Sequence, residues 1–416
     1  MMGNRDVLNP DSLVKYNMAV AGHDGTMCDD TGGLFIKPCT QKEIDFYKAA
    51  NCEHRAFANI MPTFMGDLRL LDASLDAQIP ASANMEVKQQ LAHLAQEMQT
   101  ADAPKDTETW VPNGSRKIPT DKAVVLENAS HGFVRPNILD AKLGRQLWSA
   151  DAPAQKRRRF DAISAATTHH AHGFRIAGMR VWRGGADADD ASALDAEGYR
   201  IYDKDYGRLH VHDGNLTAAL RRFIFNPVAG IDDELGRFVA EAFLRDLRQV
   251  QRVLEAEESR MYSSSLLFVF EGDGAALREA IRRTSSMPSS SRSSECGAAE
   301  VVADADDDVV PLVAGMPGNS KVAAAARAVR SNSRVDSGIA IDDDGEMMLQ
   351  MTDDEEEEEE EELAPVYSLK LIDFAHAEFV PGQGPDENTL LGVRSLIRIF
   401  EELARPPQHD ETKAET

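Results

Sequence analysis

Between Gly274 and about Ala364 the chain cannot belong to a packed core. This stretch contains the run SSMPSSSRSS, an alanine run and an unbroken acidic tract from Asp353 to Glu362. It holds 8 Lys and Arg against 22 Asp and Glu, a local charge of −14 within a total of −25. Polar, like-charged sequence buries too little apolar surface to offset the entropy of ordering. A disordered insertion is therefore predicted here. Loop closure tolerates it, because the closure entropy grows only logarithmically with length. Its flanks are apolar: LLFVF at Leu266–Phe270 before it, and the strand-like segment Tyr367–Phe374 after it. One fold must then be assembled from both sides of the insertion.

The whole chain has 416 residues, of which 42% are hydrophobic, enough for one large domain or two ordinary ones. The negative charge argues against general nucleic-acid or membrane-surface binding, which need a basic footprint. Cys28, Cys39, Cys52 and Cys296 form no CxxC pair, so neither zinc nor a disulfide framework is expected, and a reducing compartment fits. The segment Met1–Tyr16 is polar and lacks the apolar centre of a signal peptide. No apolar run approaches the ~18 residues that would suggest a membrane span.

Periodicity predicts strands at Met18–Ala21, Gly33–Lys37, Ala123–Glu127, Asn137–Lys142, Gly178–Trp182, Leu266–Phe270 and Tyr367–Phe374. Helices are predicted over Gln41–Ala50, residues 84–99, Ala154–Thr167, Ile231–Ala256 and Asn388–Leu403. Pro153 stands where helices begin.

Four constellations carry chemistry. Ala21–Thr26 (AGHDGT) is a Gly-rich turn followed by a strand ending at Lys37. Such a turn lets backbone N–H groups approach phosphate oxygens, and a lysine on the next strand can reach them. Glu43, on the following helix, can fix that lysine. Alone, the turn also reads as an ordinary hairpin and Lys37 as an exposed strand lysine. In Pro136–Gly144 (PNILDAKLG), Asp140 and Lys142 lie two apart on a strand and share a face. A carboxylate that accepts from a hydroxyl and an ammonium that neutralises phosphate charge suit phosphoryl transfer. The plain alternative is an exposed ion pair of little energetic weight. Ile372–His376 (IDFAH) places Asp373 at a strand end, where a carboxylate can hold Mg²⁺ or simply cap a turn. Ser264–Leu267 (SSLL) puts serines at a strand entrance, able to ligate a metal or close a turn.

Together these motifs resemble the inositol polyphosphate kinase family. Its PxxxDxKxG pattern stands here as Pro136–Gly144, its SSLL element as Ser264–Leu267 and its IDFAH element as Ile372–His376, all in family order. The resemblance implies an α+β, two-lobed fold related to protein kinases, built of antiparallel sheets with helices around the long disordered insertion. Within the family, AGHDGT, the LEN segment Leu126–Asn128 and LWSADAP look most like multikinases of the fungal type.

The same resemblance implies ATP and Mg²⁺ as cofactors. Gly25, Lys37 and Glu43 would serve the nucleotide phosphates, and Glu127 and Asn128 the adenine hinge, largely through backbone. Asp140 and Lys142 would lie between nucleotide and inositol phosphate, Ser265 and Asp373 would serve the metal, and Lys156, Arg159 and His376 would bind substrate. Lys156–Arg159 are four consecutive cations in a chain of charge −25, and they span more than one helical turn, so at most two can face a site. His169, His170 and His172 lack partner spacing for a metal. The expected layout is an ATP-binding N-lobe at 1–128 and a C-lobe at 129–273 with an inositol-phosphate segment at 147–172. The insertion at 274–364 and the end of the C-lobe at 365–416 follow. The implied reaction is phosphorylation of inositol 1,4,5-trisphosphate at the 6- and 3-hydroxyls. The weighed alternatives are a hexakisphosphate kinase making pyrophosphates and a regulatory scaffold. Basic regulatory or transcription proteins are expected partners for the acidic insertion, with nuclear and cytoplasmic residence.

Overall fold

The computed structural model describes residues 13–21, 25–69, 120–184, 194–286 and 364–406. The segments predicted as helix 84–99 and as insertion from residue 287 to 363 lie outside these. The first sheet orders its antiparallel strands β1 (Val14–Lys15), β2 (Met27–Cys28), β3 (Leu34–Pro38), β5 (Lys122–Glu127) and β4 (Phe64–Arg69). Helix α1 (Gln41–Glu53) follows β3, and a short turn of helix, α2 (Arg55–Ala58), follows α1. Thr40 and Glu43 have capping-box spacing, but only half of the box forms. The Thr40 hydroxyl accepts from the Glu43 N–H at 3.4 Å, while the Glu43 carboxylate turns away toward Lys37.

The second sheet has the order β11–β10–β6–β7–β8, again antiparallel throughout. Its strands are β6 (Pro136–Leu143), β7 (Phe174–Trp182), β8 (Tyr199–Tyr202), β10 (Ser265–Glu271) and β11 (Tyr367–Ile372). Between β6 and β7 lie α3 (Ala154–Ala165) and the single turn α4 (His169–His172); a π-helical segment, Tyr206–His210, follows β8. Then come α5 (Leu216–Ile224), α6 (Asp233–Ala256) and the small pair β9 (Ser259–Met261) and β12 (Ala377–Phe379). Helices α7 (Gly274–Ser286) and α8 (Glu387–Ala404) complete the lobe.

Alternation along the strands sorts the two faces of this sheet. Leu139, Ala141 and Leu143 join the core with Phe268, which meets Phe243 of α6 and stacks on Phe400 of α8. Burying such aromatics contributes roughly 2–3 kcal/mol each. The intervening residues Asp140 and Lys142 are left for the opposite face. The pleat of β6 thus puts acid and base together on the side away from this aromatic core.

Two expectations change. Met18–Ala21 is not a strand. Its backbone instead crosses the second sheet, where a Cβ on Gly178 would lie only 2.0 Å from the Val20 carbonyl oxygen. Arg180 donates to the Asn17 carbonyl at 3.5 Å, and Tyr16, packed edge-on to Phe35, hydrogen-bonds Ser130 at 2.9 Å. The start of the expected insertion is also folded: Gly274–Ser286 forms α7, with Leu277 and Ala280 fully buried. Asp273 precedes it and accepts from the N–H groups of Ala275 and Ala276, holding the first turn. Replacing residues 287–363 with a short Gly/Ser linker is therefore expected to leave the melting temperature nearly unchanged. Removal from residue 280 onward should destabilise the lobe.

One carboxyl beneath the sheet sets a pH dependence. Asp246 of α6 accepts from the Tyr367 hydroxyl at 3.2 Å, and burial pushes its pKa up to about 6, against the lowering effect of that bond and of Arg245 and Lys370. A raised carboxyl penalises the fold only when ionised. The penalty is absent well below the unfolded carboxyl value of 3.8, accumulates as pH rises from there to about 6, and is constant above it. Asp246→Asn should raise the melting temperature most at pH 7.5, less at pH 4.5, and hardly at all at pH 3. Equal effects at all three pH values would exclude this origin.

Candidate active site

The site forms where the two sheets meet. Lys37, on β3, donates to Glu43 Oε1 at 2.8 Å and to Asp373 Oδ1 at 2.7 Å. Burial opposes its charge, but the two carboxylates outweigh burial and hold the ammonium well above its ordinary pKa. Glu43 is 1% exposed and also accepts from the Phe374 N–H at 3.3 Å. Phe374 explains how Asp373 arrives there. Its ring is buried against Phe46, Tyr47 and Phe57, which pins the end of β11 beneath α1.

Asp373 connects the lobes a second time. Its Oδ2 lies 3.9 Å from Lys142 Nζ, whose ammonium also donates to the Ser263 carbonyl at 2.8 Å. Among the described residues, Ser263 (φ 61°) and Asp373 (φ 68°) are the non-glycine residues with left-handed backbone. Such backbone costs about 1 kcal/mol or more and persists where surrounding contacts impose it. Ser263 lies just before β10 and Asp373 just after β11, at the same end of neighbouring strands, and both hold Lys142.

Asp140 is 4% exposed, and its Oδ1 has no hydrogen-bond partner among the described residues. Burial raises its pKa, with Lys142 opposing and Asp373 reinforcing the shift. The Ser265 hydroxyl is likewise enclosed; it lies near enough to Asp140 to lower that carboxyl's pKa but makes no well-formed hydrogen bond. Ser265 pairs in register with Lys142 on one side and Ile372 on the other, adjoining Asp373. Orphaned buried oxygens carry a desolvation cost that a ligand can remove. The Ser265 hydroxyl and the Asp373 carboxylate, adjoining in the β10–β11 register, are hard-oxygen donors of the kind a divalent cation takes. No cluster of three His, Cys, Asp or Glu side chains occurs among the described residues.

The remaining expected residues divide. Lys156 Nζ and His376 Nε2 come within 3.5 Å of each other across α3 and the loop after β11. Burial and then Lys156 lower the His376 pKa, which favours the neutral ring beside the Lys156 ammonium. Arg159 is exposed and makes no ion pair among the described residues. Arg157 is committed to structure, donating to the Ala150 and Ala152 carbonyls with its guanidinium over the Trp148 ring. Glu127 spends its carboxylate on Thr63 and on Lys370, the latter at 2.7 Å, tying β5 to β11. Asn128 holds the turn with Gly32, Ser130 and His131. Gly25 has φ 95°, which a side chain would strain, and residues 22–24 of its turn lie outside the described set. His169 is buried, and desolvation followed by Arg175 lowers its pKa to about 3.

Sequence reading missed two neighbours of Lys142. Ser263 acts through its carbonyl, which no residue-type pattern reports. Arg175 lies directly across from Lys142 in the β6–β7 register. It escaped because strand β7 was expected to begin at Gly178, four residues late. The signal was Gly173, which ends α4 with φ 67° and lets the chain turn into FRIAGMRVW.

Known proteins match this architecture. A model of the inositol polyphosphate kinase family matches residues 123–401. The chain is 30% identical over 405 residues to the inositol polyphosphate multikinase of Saccharomyces cerevisiae, covering 91% of this chain and 95% of that protein. It is 28% identical over 259 residues to the multikinase of Schizosaccharomyces pombe, covering 62% of this chain and 80% of that one. Human inositol hexakisphosphate kinase 1 is 28% identical over 290 residues, covering 68% of this chain and 52% of that protein. The crystal structure of the S. cerevisiae inositol phosphate multikinase Ipk2, in complex with ADP and Mn²⁺, superposes with a TM-score of 0.52 at 25% identity. That match spans 90% of this chain and 100% of the other.

Proposed function

The chain belongs to the inositol polyphosphate kinase family, and we propose that it acts as a multikinase moving the γ-phosphate of ATP onto successive hydroxyls of inositol 1,4,5-trisphosphate. The observation that carries this reading is the continuous line Glu43–Lys37–Asp373–Lys142 across the two sheets, with the enclosed Asp140 and Ser265 beside it.

Each residue then has a task. Lys37 binds the nucleotide phosphates, and Glu43 holds it in place. Asp373 and Ser265 would hold magnesium, which would supply neutralisation of charge on the phosphate oxygens. Asp140 orients the attacking hydroxyl and takes its proton as the new oxygen–phosphorus bond forms. The bond to the β-phosphate oxygen breaks, and ADP leaves with that electron pair. A carboxyl whose pKa is raised by burial is better matched to accepting that proton than an ordinary aspartate. Lys142 sits where charge develops on the transferring group. Lys156 and His376 meet substrate phosphates from the α3 side. Catalysis then comes from alignment and charge neutralisation. The expected sites of transfer are the 6- and 3-hydroxyls. The acidic stretch 287–363 is assigned to basic protein partners, not to turnover.

Incubation with Mg-ATP and inositol 1,4,5-trisphosphate, followed by chromatography of product isomers, tests this. Tetrakis- and then pentakisphosphates are expected. A chain that left the trisphosphate untouched and converted only the hexakisphosphate to pyrophosphates would be the other kind of kinase represented among its relatives.

A further inference from the structure

We propose that Arg175 and Arg208 form a second phosphate subsite, holding a non-reacting phosphate of the inositol substrate on the flank of Lys142 away from the nucleotide. This inference rests on the kinase reading above and assigns residues that reading leaves idle.

The order of residues across the sheet carries the argument. In register, Arg175 of β7 faces Lys142 of β6, which faces Ser265 of β10, which faces Ile372 of β11 beside Asp373. The donor set for metal and nucleotide thus lies on one side of Lys142 and Arg175 on the other. A kinase must bring nucleotide and acceptor to Lys142 from opposite flanks, so the Arg175 side falls to the acceptor.

The local chemistry there is cationic and incompletely satisfied. Arg175 is 4% exposed; its Nη1 donates to the Ile176 carbonyl at 3.0 Å and the Lys204 carbonyl at 3.3 Å. Its Nε and the Nε of Arg208 are enclosed and lack partners among the described residues. Burial and the nearby like charge of Arg208 lower the Arg175 pKa to about 10, while Asp140 opposes the shift. Arg208 has Asp205 at 3.8 Å and keeps 29% of its side chain exposed, so a ligand can reach it. Arg208 disfavours the charge on Arg175, and an anion bound to both would offset that repulsion. Planar guanidinium forks suit a phosphate through paired N–H···O bonds.

Backbone packing shows that the arrangement is built. A Cβ on Gly207 would fall 1.8 Å from the Ile176 carbonyl oxygen and 3.4 Å from Arg175 Nη1. Only glycine lets the π-helical segment Tyr206–His210 lie directly on β7, and Arg208 follows that glycine. The irregularity in β6–β7 pairing falls between Asp140 and Ala141, opposite this contact. Bulges and π-helical turns frequently re-aim side chains at functional sites. Tyr206 is anchored from outside by Arg222 at 3.2 Å and by its ring contact with Tyr202.

The test uses Arg208→Gln in the full chain, with Arg175→Met as a second variant. Steady-state kinetics are measured for ATP and for inositol 1,4,5-trisphosphate. Calorimetric binding of the trisphosphate is measured in an Asp140→Asn background. Arg208→Gln is expected to raise KM and Kd for the trisphosphate by at least tenfold, with KM for ATP within about twofold. The penalty should vanish for the one inositol bisphosphate that lacks the contacted phosphate. Unchanged trisphosphate affinity, or an equal penalty for ATP and every inositol phosphate, would overturn the subsite. Wild-type turnover reports separately on the kinase reading. A chain that transfers phosphate normally while Arg208→Gln binds like wild type sinks the subsite alone. If Arg175→Met fails to fold, Arg208→Gln on its half-exposed segment decides the matter.

Discussion

Asp140→Asn is expected to lower kcat by about 10³-fold, the scale associated with loss of a positioned proton acceptor. ADP affinity and melting temperature should not fall. Its carboxyl is enclosed, its Oδ1 is unpartnered, and burial raises its pKa. A buried charge of that kind costs stability, and a neutral amide of the same shape removes the cost. The melting temperature should therefore stay level or rise while turnover collapses. This opposition separates a catalytic carboxylate from a structural one. Thermal denaturation and single-turnover phosphate transfer on the same preparation check it. A variant that keeps more than a tenth of wild-type kcat would remove Asp140 from the reaction.

Lys37→Met should damage both stability and nucleotide binding. The ammonium joins Glu43 to Asp373, at 2.8 and 2.7 Å. Removing it leaves the 1%-exposed Glu43 charge without its ion-pair partner. Breaking one side of a buried pair typically costs about 3–5 kcal/mol. The raised Lys37 pKa means that the stabilising contribution is present below the unfolded lysine value and lost only as pH rises through the folded one. The effect should then be constant from pH 6 to pH 9. Adding Glu43→Gln to Lys37→Met should recover most of the lost stability, since the stranded charge is gone. It should recover none of the ADP affinity, which needs a cation at that place. Equal recovery of both would mean that Lys37 supports the fold and not the nucleotide.

Much of the site was readable because strand chemistry is local. The two-residue spacing of Asp140 and Lys142 puts them on one face of any strand, and the apolar alternation of PNILDAKL chooses which face meets the core. The run LLFVF could scarcely be anything but a buried strand, and β10 extends it by one residue at each end. Other readings failed where partners are distant. The apolar character of Met18–Ala21 suggested a strand, but a strand needs a neighbour, and that backbone found the bare Cα of Gly178 in another lobe. Composition averaged over ninety residues hid α7, although Leu277 and Ala280 stand three apart on one helical face.

The sequence by itself determined the chemical inventory: which residues can carry a proton, hold a metal or bear a positive charge, and on which face of its own element each lies. Backbone periodicity dictates that much without any long-range contact. Tertiary structure alone decided which of them meet. Lys37 and Asp373 are 336 residues apart and share a hydrogen bond because Phe374 is buried under α1. Arg175 stands beside Lys142 because two strands chose one register. Register and lobe docking are set by the summed burial of many side chains, a quantity that belongs to no single stretch of the chain.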